Sequence, residues 1–137
     1  MNAVEDILNK QGKSINSLTS KTDLADITAI GLTGQSLTGH IPPAIGNISD
    51  LRFLYLAKNN LSGSLPKEIY DLTKLQNLDL SENKFSGELS SKISNWKDIK
   101  VLLLWGNNFS GRLPNEIGQL KELIRGCLKT KSGRKLA

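Results

Sequence analysis

Leucine, isoleucine and phenylalanine recur along the chain at a fixed interval of 24 residues. Four apolar columns keep this interval through the middle of the chain: Ile27, Leu51, Leu75, Ile99 and Leu123; Leu32, Leu56, Leu80, Leu104 and Leu128; Leu37, Leu61, Phe85 and Phe109; and Ile41, Leu65, Leu89 and Leu113. A unit of this length cannot bury its own apolar side, so consecutive units stack and share one continuous core. The pattern therefore predicts a repeat solenoid.

Each repeat contains a short segment in which apolar and variable residues alternate, as in a half-buried strand. These segments are residues 30–32, 54–56, 78–80 and 102–104. Because equivalent segments stack on one another from repeat to repeat, we expect them to form a parallel sheet.

Polar positions keep the same register. Asn59, Asn83 and Asn107 follow three of the predicted strands, and Gln35 occupies this position in the first repeat. A buried amide both donates and accepts hydrogen bonds, so a ladder of such side chains can satisfy backbone groups where the chain bends. A glycine column then marks a tight turn in each repeat: Gly39, Gly63, Gly87 and Gly111.

Three segments, 37–48 (LTGHIPPAIGNI), 61–72 (LSGSLPKEIYDL) and 109–120 (FSGRLPNEIGQL), resemble the L-x-G-x-I-P signature of plant-type leucine-rich repeats. Receptor-like kinase ectodomains and polygalacturonase-inhibiting proteins carry repeats of this class. The resemblance covers roughly residues 24–128, with prolines at Pro42, Pro66 and Pro114 and a departure at Ser90.

This resemblance implies an α/β-type leucine-rich-repeat solenoid. The expected shape is a right-handed horseshoe with a short parallel β-sheet on the concave face and 3₁₀ turns on the convex side. The G-x-I-P segment of such relatives adds a second small strand. Extracellular relatives usually have paired-cysteine caps, which this chain lacks.

We divide the chain into an N-terminal cap at 1–23, four 24-residue repeats at 24–119, and a degenerate fifth repeat with a basic tail at 120–137. Asn2 and Glu5 have the spacing of a capping box, which predicts an N-terminal capping helix at about 2–11. In the fifth repeat, Gly126 replaces the expected leucine and Lys131 the expected asparagine. This decay indicates a cap or a truncation.

Charge is concentrated at the end of the chain. Basic and acidic residues balance through residue 120, so the net charge of +5 arises from residues 121–137. Only this tail could attract an acidic surface, either a membrane or a nucleic acid. The alternative function is therefore an adaptor that holds such a surface through its tail. The simpler interpretation is that the tail is only a solvated end of the chain.

The cysteine content and the N-terminus suggest a compartment. Cys127 is the only cysteine, so no intrachain disulfide can form, and the polar start shows no signal peptide. We predict a cytoplasmic protein, or a secreted one if a native signal peptide has been removed. Glycosylation sequons begin at Asn47, Asn60 and Asn108, but two of them arise from the repeat pattern, and we interpret all three as incidental.

Catalysis and metal binding find no support in the spacing of reactive residues. Cys127 and the only histidine, His40, lie four repeats apart. At about 4.8 Å per stacked strand they are about 19 Å apart, far beyond hydrogen-bonding distance. No Cys/His pair has the spacing of metal ligands. We predict no enzyme activity, no cofactor, no metal and no small-molecule substrate.

Large side chains at outward strand positions predict a binding surface. The large residues are Phe53, Tyr55, Val101, Leu103 and Trp105. Asn77, Asp79 and Ser81 of the third repeat lie between them, and all eight are expected on the concave face. Exposed apolar patches of this kind commonly bind proteins, although these side chains could instead pack on one another or pair in a dimer. Trp96 falls in an apolar column and is predicted to lie in the core, whereas Tyr70 falls in a convex position and is interpreted as incidental.

The predicted function is therefore a non-catalytic protein–protein interaction module that binds through the concave face. The partner is another protein of unknown identity, and the chain is expected to be a monomer or a weak dimer. The balanced charge of residues 1–120 argues against nucleic acid or membrane as the partner of the repeats.

Overall fold

The computed structural model describes residues 26–123 and, for its backbone alone, a strand at Arg125–Cys127. The predicted capping helix and the basic tail beyond this strand lie outside the described residues. In chain order, the strands of the described part are β1 (Ala29–Gly31), β2 (Thr38–Gly39), β3 (Phe53–Tyr55), β4 (Asn60–Gly63), β5 (Asn77–Asp79), β6 (Lys84–Phe85), β7 (Val101–Leu103) and β8 (Arg125–Cys127).

One strand from each repeat contributes to the main sheet, whose order is β1-β3-β5-β7-β8 with parallel pairing throughout. Its register places residues 24 apart in sequence opposite one another, as Ala29 and Phe53 are. The strands begin one residue earlier than predicted, but the same ladder continues past them, since the Leu56 N–H donates to the Asp79 carbonyl at 2.9 Å. The parallel sheet of the predicted fold is confirmed.

A second, smaller sheet follows the main one in each repeat. Its order is β2-β4-β6, again parallel, and a bridge between Glu88 and Ser110 extends the pattern by one repeat. The glycine column turns the chain here, with φ between 75° and 84° at its four positions. At Gly87 a β-carbon would also lie only 2.9 Å from the Ser64 hydroxyl oxygen. Both the positive φ and this close approach therefore favour glycine here.

The convex side is built from 3₁₀ helices, as the resemblance implied. They span Pro43–Asn47, Lys67–Asp71, Ser91–Asn95 and Asn115–Gln119. Pro42, Pro66 and Pro114 precede three of them and fix the extended backbone from which the turn starts. Where Ser90 replaces proline, its hydroxyl instead accepts a hydrogen bond from the Lys92 N–H at 3.1 Å.

The apolar columns meet between the two sheets and the 3₁₀ helices. Strand centres such as Ile30, Leu54 and Leu78 are fully buried, and the rings of Phe85 and Phe109 stack with centroids 6.2 Å apart. A single hydrophobic core therefore runs through the described repeats. Within residues 26–123, no helix has the length and apolar character needed to cross a membrane.

The interpretation of Tyr70 as incidental is wrong, because its side chain is only 2% exposed. Its ring stacks on Trp96 with centroids 5.1 Å apart, and its hydroxyl accepts a hydrogen bond from the Ser90 N–H at 3.0 Å. Burial raises the pKa of Tyr70, and the bond from Ser90 opposes this effect. The Trp96 indole N–H donates to the Ile69 carbonyl at 3.1 Å. Proline has no N–H, so the departure at Ser90 created the donor that Tyr70 satisfies.

Candidate binding surface

Apolar side chains of β3 and β7 project from the main sheet on the side away from the core. Phe53, Tyr55, Val101 and Leu103 are each half-buried. Side chains alternate along a strand, so these four point away from the core while the central residues of β3 and β7 point into it. Trp105 follows β7 and is 37% exposed, the one exposed large hydrophobic side chain within residues 26–123. These five residues are called the strand-face patch below.

Two contacts hold the aromatic part of this patch in place. The rings of Phe53 and Tyr55 lie nearly parallel, at 12°, with centroids 6.5 Å apart. The Asn77 amide on the neighbouring strand β5 donates a hydrogen bond to the Tyr55 hydroxyl at 3.0 Å. Such restraint lowers the conformational entropy that a partner must remove when it binds.

Polar residues of β5 separate the two apolar halves of the patch. Asp79 is half-buried, and its carboxylate accepts hydrogen bonds from the Ser81 hydroxyl at 2.6 Å and the Ser81 N–H at 3.1 Å. Both bonds reach the same oxygen, Oδ1. Asp79 is the only charged residue at the outward positions of β1, β3, β5 and β7.

The prediction that Ser81 lies on the exposed surface is wrong, since this residue is 3% exposed. Ser81 stands just before the turn at Glu82, where φ is 54°. Its hydroxyl is engaged by Asp79, and its carbonyl accepts a hydrogen bond from the Lys58 N–H at 3.0 Å. The short side chain of Ser81 bonds back to Asp79 and stays within the surface, whereas the larger Trp105 at the same register position projects beyond it.

Beneath the turns, the asparagine side chains are buried and bonded to two coils at once. The Asn83 carbonyl oxygen accepts from the Leu61 N–H at 3.0 Å. Its amide donates to the carbonyls of Leu56 at 2.9 Å and of Leu80 and Ser81 at 3.2 Å. Asn59 and Asn107 repeat this arrangement. The turns that present the strand face are thereby fixed relative to each other.

Gln35 departs from its predicted place in this ladder. Its side chain is exposed, and its amide donates to the nearby Thr33 carbonyl at 3.4 Å. The backbone N–H of Gln35 donates to the Asn59 side chain at 2.9 Å. A glutamine is one methylene longer than asparagine and does not take the buried position of the three asparagines here.

Reactive residues do not gather around the patch. His40 is exposed directly after β2, and the side chain of Cys127 lies outside the described residues. Within the part of the chain that the structure describes, no three His, Cys, Asp or Glu residues come together as a group that could hold a metal ion.

Family models of leucine-rich repeats match the chain over residues 26–85 and again over residues 98–120, together more than half of its length. Both models are described as leucine-rich repeats. No curated protein matches the chain.

Solved structures of plant ectodomains superpose on the chain. In the BIR3–SERK2 complex from Arabidopsis thaliana, the matching chain is 33% identical, with a TM-score of 0.68 over 74% of this chain and 56% of that one. The Arabidopsis GASSHO1/SCHENGEN3 ectodomain, solved with CASPARIAN STRIP INTEGRITY FACTOR 2, is 32% identical, with a TM-score of 0.76 over 79% of this chain and 13% of that one.

The Arabidopsis HAESA ectodomain, in complex with an extended IDA peptide hormone, gives the same TM-score of 0.76 at 30% identity. Its match covers 84% of this chain and 19% of the HAESA chain. The chain thus spans about half of the first of these relatives and less than a fifth of the other two.

These comparisons correct the predicted cytoplasmic location. The similar structures are ectodomains of plant membrane receptors, which points to an extracellular location. The single cysteine did not indicate the compartment, because stacked apolar columns and buried asparagines hold these coils together. A coil stabilised in this way needs no disulfide, so one cysteine carries little information about the redox compartment.

Proposed function

The chain belongs to the plant-type leucine-rich-repeat family, and from that premise we propose that it is a non-catalytic module that binds a peptide or protein through the concave face of its main sheet. The similar structures include ectodomains in complex with a protein, a named factor and a peptide hormone. A protein-interaction role is thus supported by the relatives. That the partner binds the concave face is part of the proposal.

One observation carries that choice: the strand-face patch groups aromatic and aliphatic side chains that have no place in the core. Trp105 is the most exposed of them, and Tyr55 is held by Asn77. Tryptophan and tyrosine are the residues that most often contribute large shares of binding energy at interfaces. Trp105 and Tyr55 are therefore the proposed anchors.

Asp79 predicts a second property of the proposed partner, a basic side chain. Its carboxylate lies between the apolar halves of the patch, and both described hydrogen bonds from Ser81 use the same oxygen. A partner segment with apolar side chains on either side of a lysine or arginine would satisfy the apolar halves and the charge together. Substitution of Asp79 by asparagine should reduce the preference for such segments.

The test is a selection of peptides from a randomised displayed library against the wild-type chain, followed by titration of the selected peptides. Trp105→Ala and Tyr55→Ala should each weaken binding by ~2 kcal/mol or more, which is about 30-fold in Kd. Lys92→Ala provides the matched control, because Lys92 is exposed on the 3₁₀ side of the coil.

Two results would contradict the proposal. Equal binding by wild type and Trp105→Ala would show that the peptides use another surface. A loss with Lys92→Ala as large as that with Trp105→Ala would place the site on the convex side. Selected peptides with no basic residue would leave the binding face standing but remove the role given to Asp79.

A further inference from the structure

Three sequons of the form Asn-x-Ser become candidate glycosylation sites, because the similar proteins are extracellular. They are Asn47-Ile48-Ser49, Asn60-Leu61-Ser62 and Asn108-Phe109-Ser110. In a secreted protein, the asparagine of such a motif is an acceptor for an N-linked oligosaccharide. The folded state must still leave room for the sugar, and the structure supplies this second condition.

In each sequon, the asparagine is exposed while the middle residue is buried. Ile48 and Leu61 are fully buried and Phe109 is 5% exposed, so the core takes the middle side chain. At Asn60 and Asn108, alternation along the extended chain directs the asparagine away from the core, and Asn47 is exposed at the end of a 3₁₀ helix. Ser49 and Ser110 are also exposed, and Ser62 is half-buried.

The backbone places the three asparagines outside the main sheet. Asn60 begins β4 of the second sheet, and the Asn108 N–H donates to the Phe85 carbonyl at 2.8 Å, which continues that sheet by one repeat. Asn47 is the last residue of a 3₁₀ helix on the convex side. None of the three lies within the strand-face patch.

We propose that Asn47, Asn60 and Asn108 carry N-linked glycans. The donor is an oligosaccharide joined to a lipid through pyrophosphate. A bond forms between the asparagine Nδ2 and the first sugar carbon, the bond from that carbon to the pyrophosphate oxygen breaks, Nδ2 loses one proton, and the lipid pyrophosphate leaves.

These glycans cover the outer face of the second sheet and part of the convex side. A partner protein is thereby kept from the second sheet, while the main sheet stays open. The inference depends on an extracellular location and holds whether or not the strand-face patch binds a partner.

The test is to express the full chain behind a secretion signal in plant or insect cells, and to measure its mass before and after treatment with a peptide-N-glycosidase. Both medium and cell extract are analysed, so that slow secretion does not hide the modification. The wild-type mass should fall on treatment, and aspartate should replace all three acceptor asparagines in the peptide map. Ser49→Ala, Ser62→Ala and Ser110→Ala should each remove one glycan without removing the asparagine.

A fourth position sharpens the test. Lys84 occupies the same place in the third repeat as Asn60 and Asn108 in theirs, is exposed, and is followed by Phe85 and Ser86. The substitution Lys84→Asn therefore completes a new sequon and should add one glycan. An unchanged wild-type mass would overturn the proposal, and an unmodified asparagine at one site in the wild-type peptide map would overturn that site. The map needs no variant, so a folding defect cannot obscure this result.

Discussion

Two tyrosine–tryptophan pairs have opposite surroundings in this molecule. Tyr70 and Trp96 are buried on the convex side, where their rings stack and each is hydrogen-bonded to the backbone. Tyr55 and Trp105 lie on the strand face, one half-buried and the other 37% exposed. The same residue types are thus structural on one side and available on the other.

The difference between the pairs arises from the packing and hydrogen-bond partners that the neighbouring coil provides. Trp96 fills the apolar position held by Ile48, Leu72 and Leu120 in other repeats, and Tyr70 covers it. The Tyr55 hydroxyl, in contrast, accepts its hydrogen bond from a half-buried side-chain amide on the next strand, and its ring stays half-buried on the strand face. Residues on the convex side should therefore determine stability, and residues on the strand face should determine binding.

The largest expected effect is on the buried tryptophan. Trp96→Ala removes the largest fully buried side chain of the described core and breaks the bond to Ile69, so it should cost ~3–5 kcal/mol of the free energy of unfolding. Chemical denaturation measures this loss.

Trp105→Ala is the matched control in the same denaturation series, and it should change stability by about 0.5 kcal/mol or less because the ring fills no cavity. If Trp105→Ala destabilises the chain as much as Trp96→Ala, the assignment of stability to the convex side and of binding to the strand face would be wrong. The proposed binding face would then lose its main support.

A smaller loss is expected for Tyr70→Phe, which keeps the ring stack and removes the acceptor of the Ser90 N–H. A donor left without its partner costs about 1–3 kcal/mol. The measurement is again the free energy of unfolding by denaturant, compared with wild type.

The coupling between these two residues can be measured with Ser90→Pro. Proline removes the donor, and the backbone at Ser90 already has φ −82° and ψ 150°, which suit it. Ser90→Pro should therefore cost less in the Tyr70→Phe background than in wild type, by about 0.5 kcal/mol or more. Additive losses would mean that the bond contributes nothing measurable.

The same contrast between inward and outward positions applies to asparagine. Asn83→Ala should cost ~1–3 kcal/mol, because its loss leaves backbone groups on two coils without partners. Asn60→Ala should cost much less, since Asn60 is exposed. Unglycosylated protein from bacteria keeps the comparison free of any sugar effect. Equal losses would show that the ladder does not stabilise the coils.

Much of this fold could be predicted from the sequence, because one spacing fixes the register of every repeat. The interval of 24 residues placed Leu54 and Leu78 in the core, and it distinguished Trp96 from Trp105. The family signature likewise implied the second sheet and the 3₁₀ helices. Periodicity is informative here because each coil contacts only its neighbours.

Two predictions about single side chains failed, because a column of equivalent positions does not show the size or the contacts of each member. Ser81 was expected at the surface and is buried, because its short side chain bonds back to Asp79, whereas Trp105 in the same column projects outward. Tyr70 was compared with glycines at the same position and judged incidental. A column of equivalent residues shows what is common to the repeats, so it could not reveal that Tyr70 pairs with a change at Ser90 in the next coil.

The sequence by itself determined the repeat length, the stacking of the coils and which columns face the core, because burying an apolar column requires only that its members recur in register. The tertiary structure decided which polar groups meet. The bonds from Asn77 to Tyr55, from Ser90 to Tyr70 and from Trp96 to Ile69 join residues 20–27 positions apart. Hydrogen bonds depend on distances of a few tenths of an ångström and on direction, and these are set only when the coils have stacked.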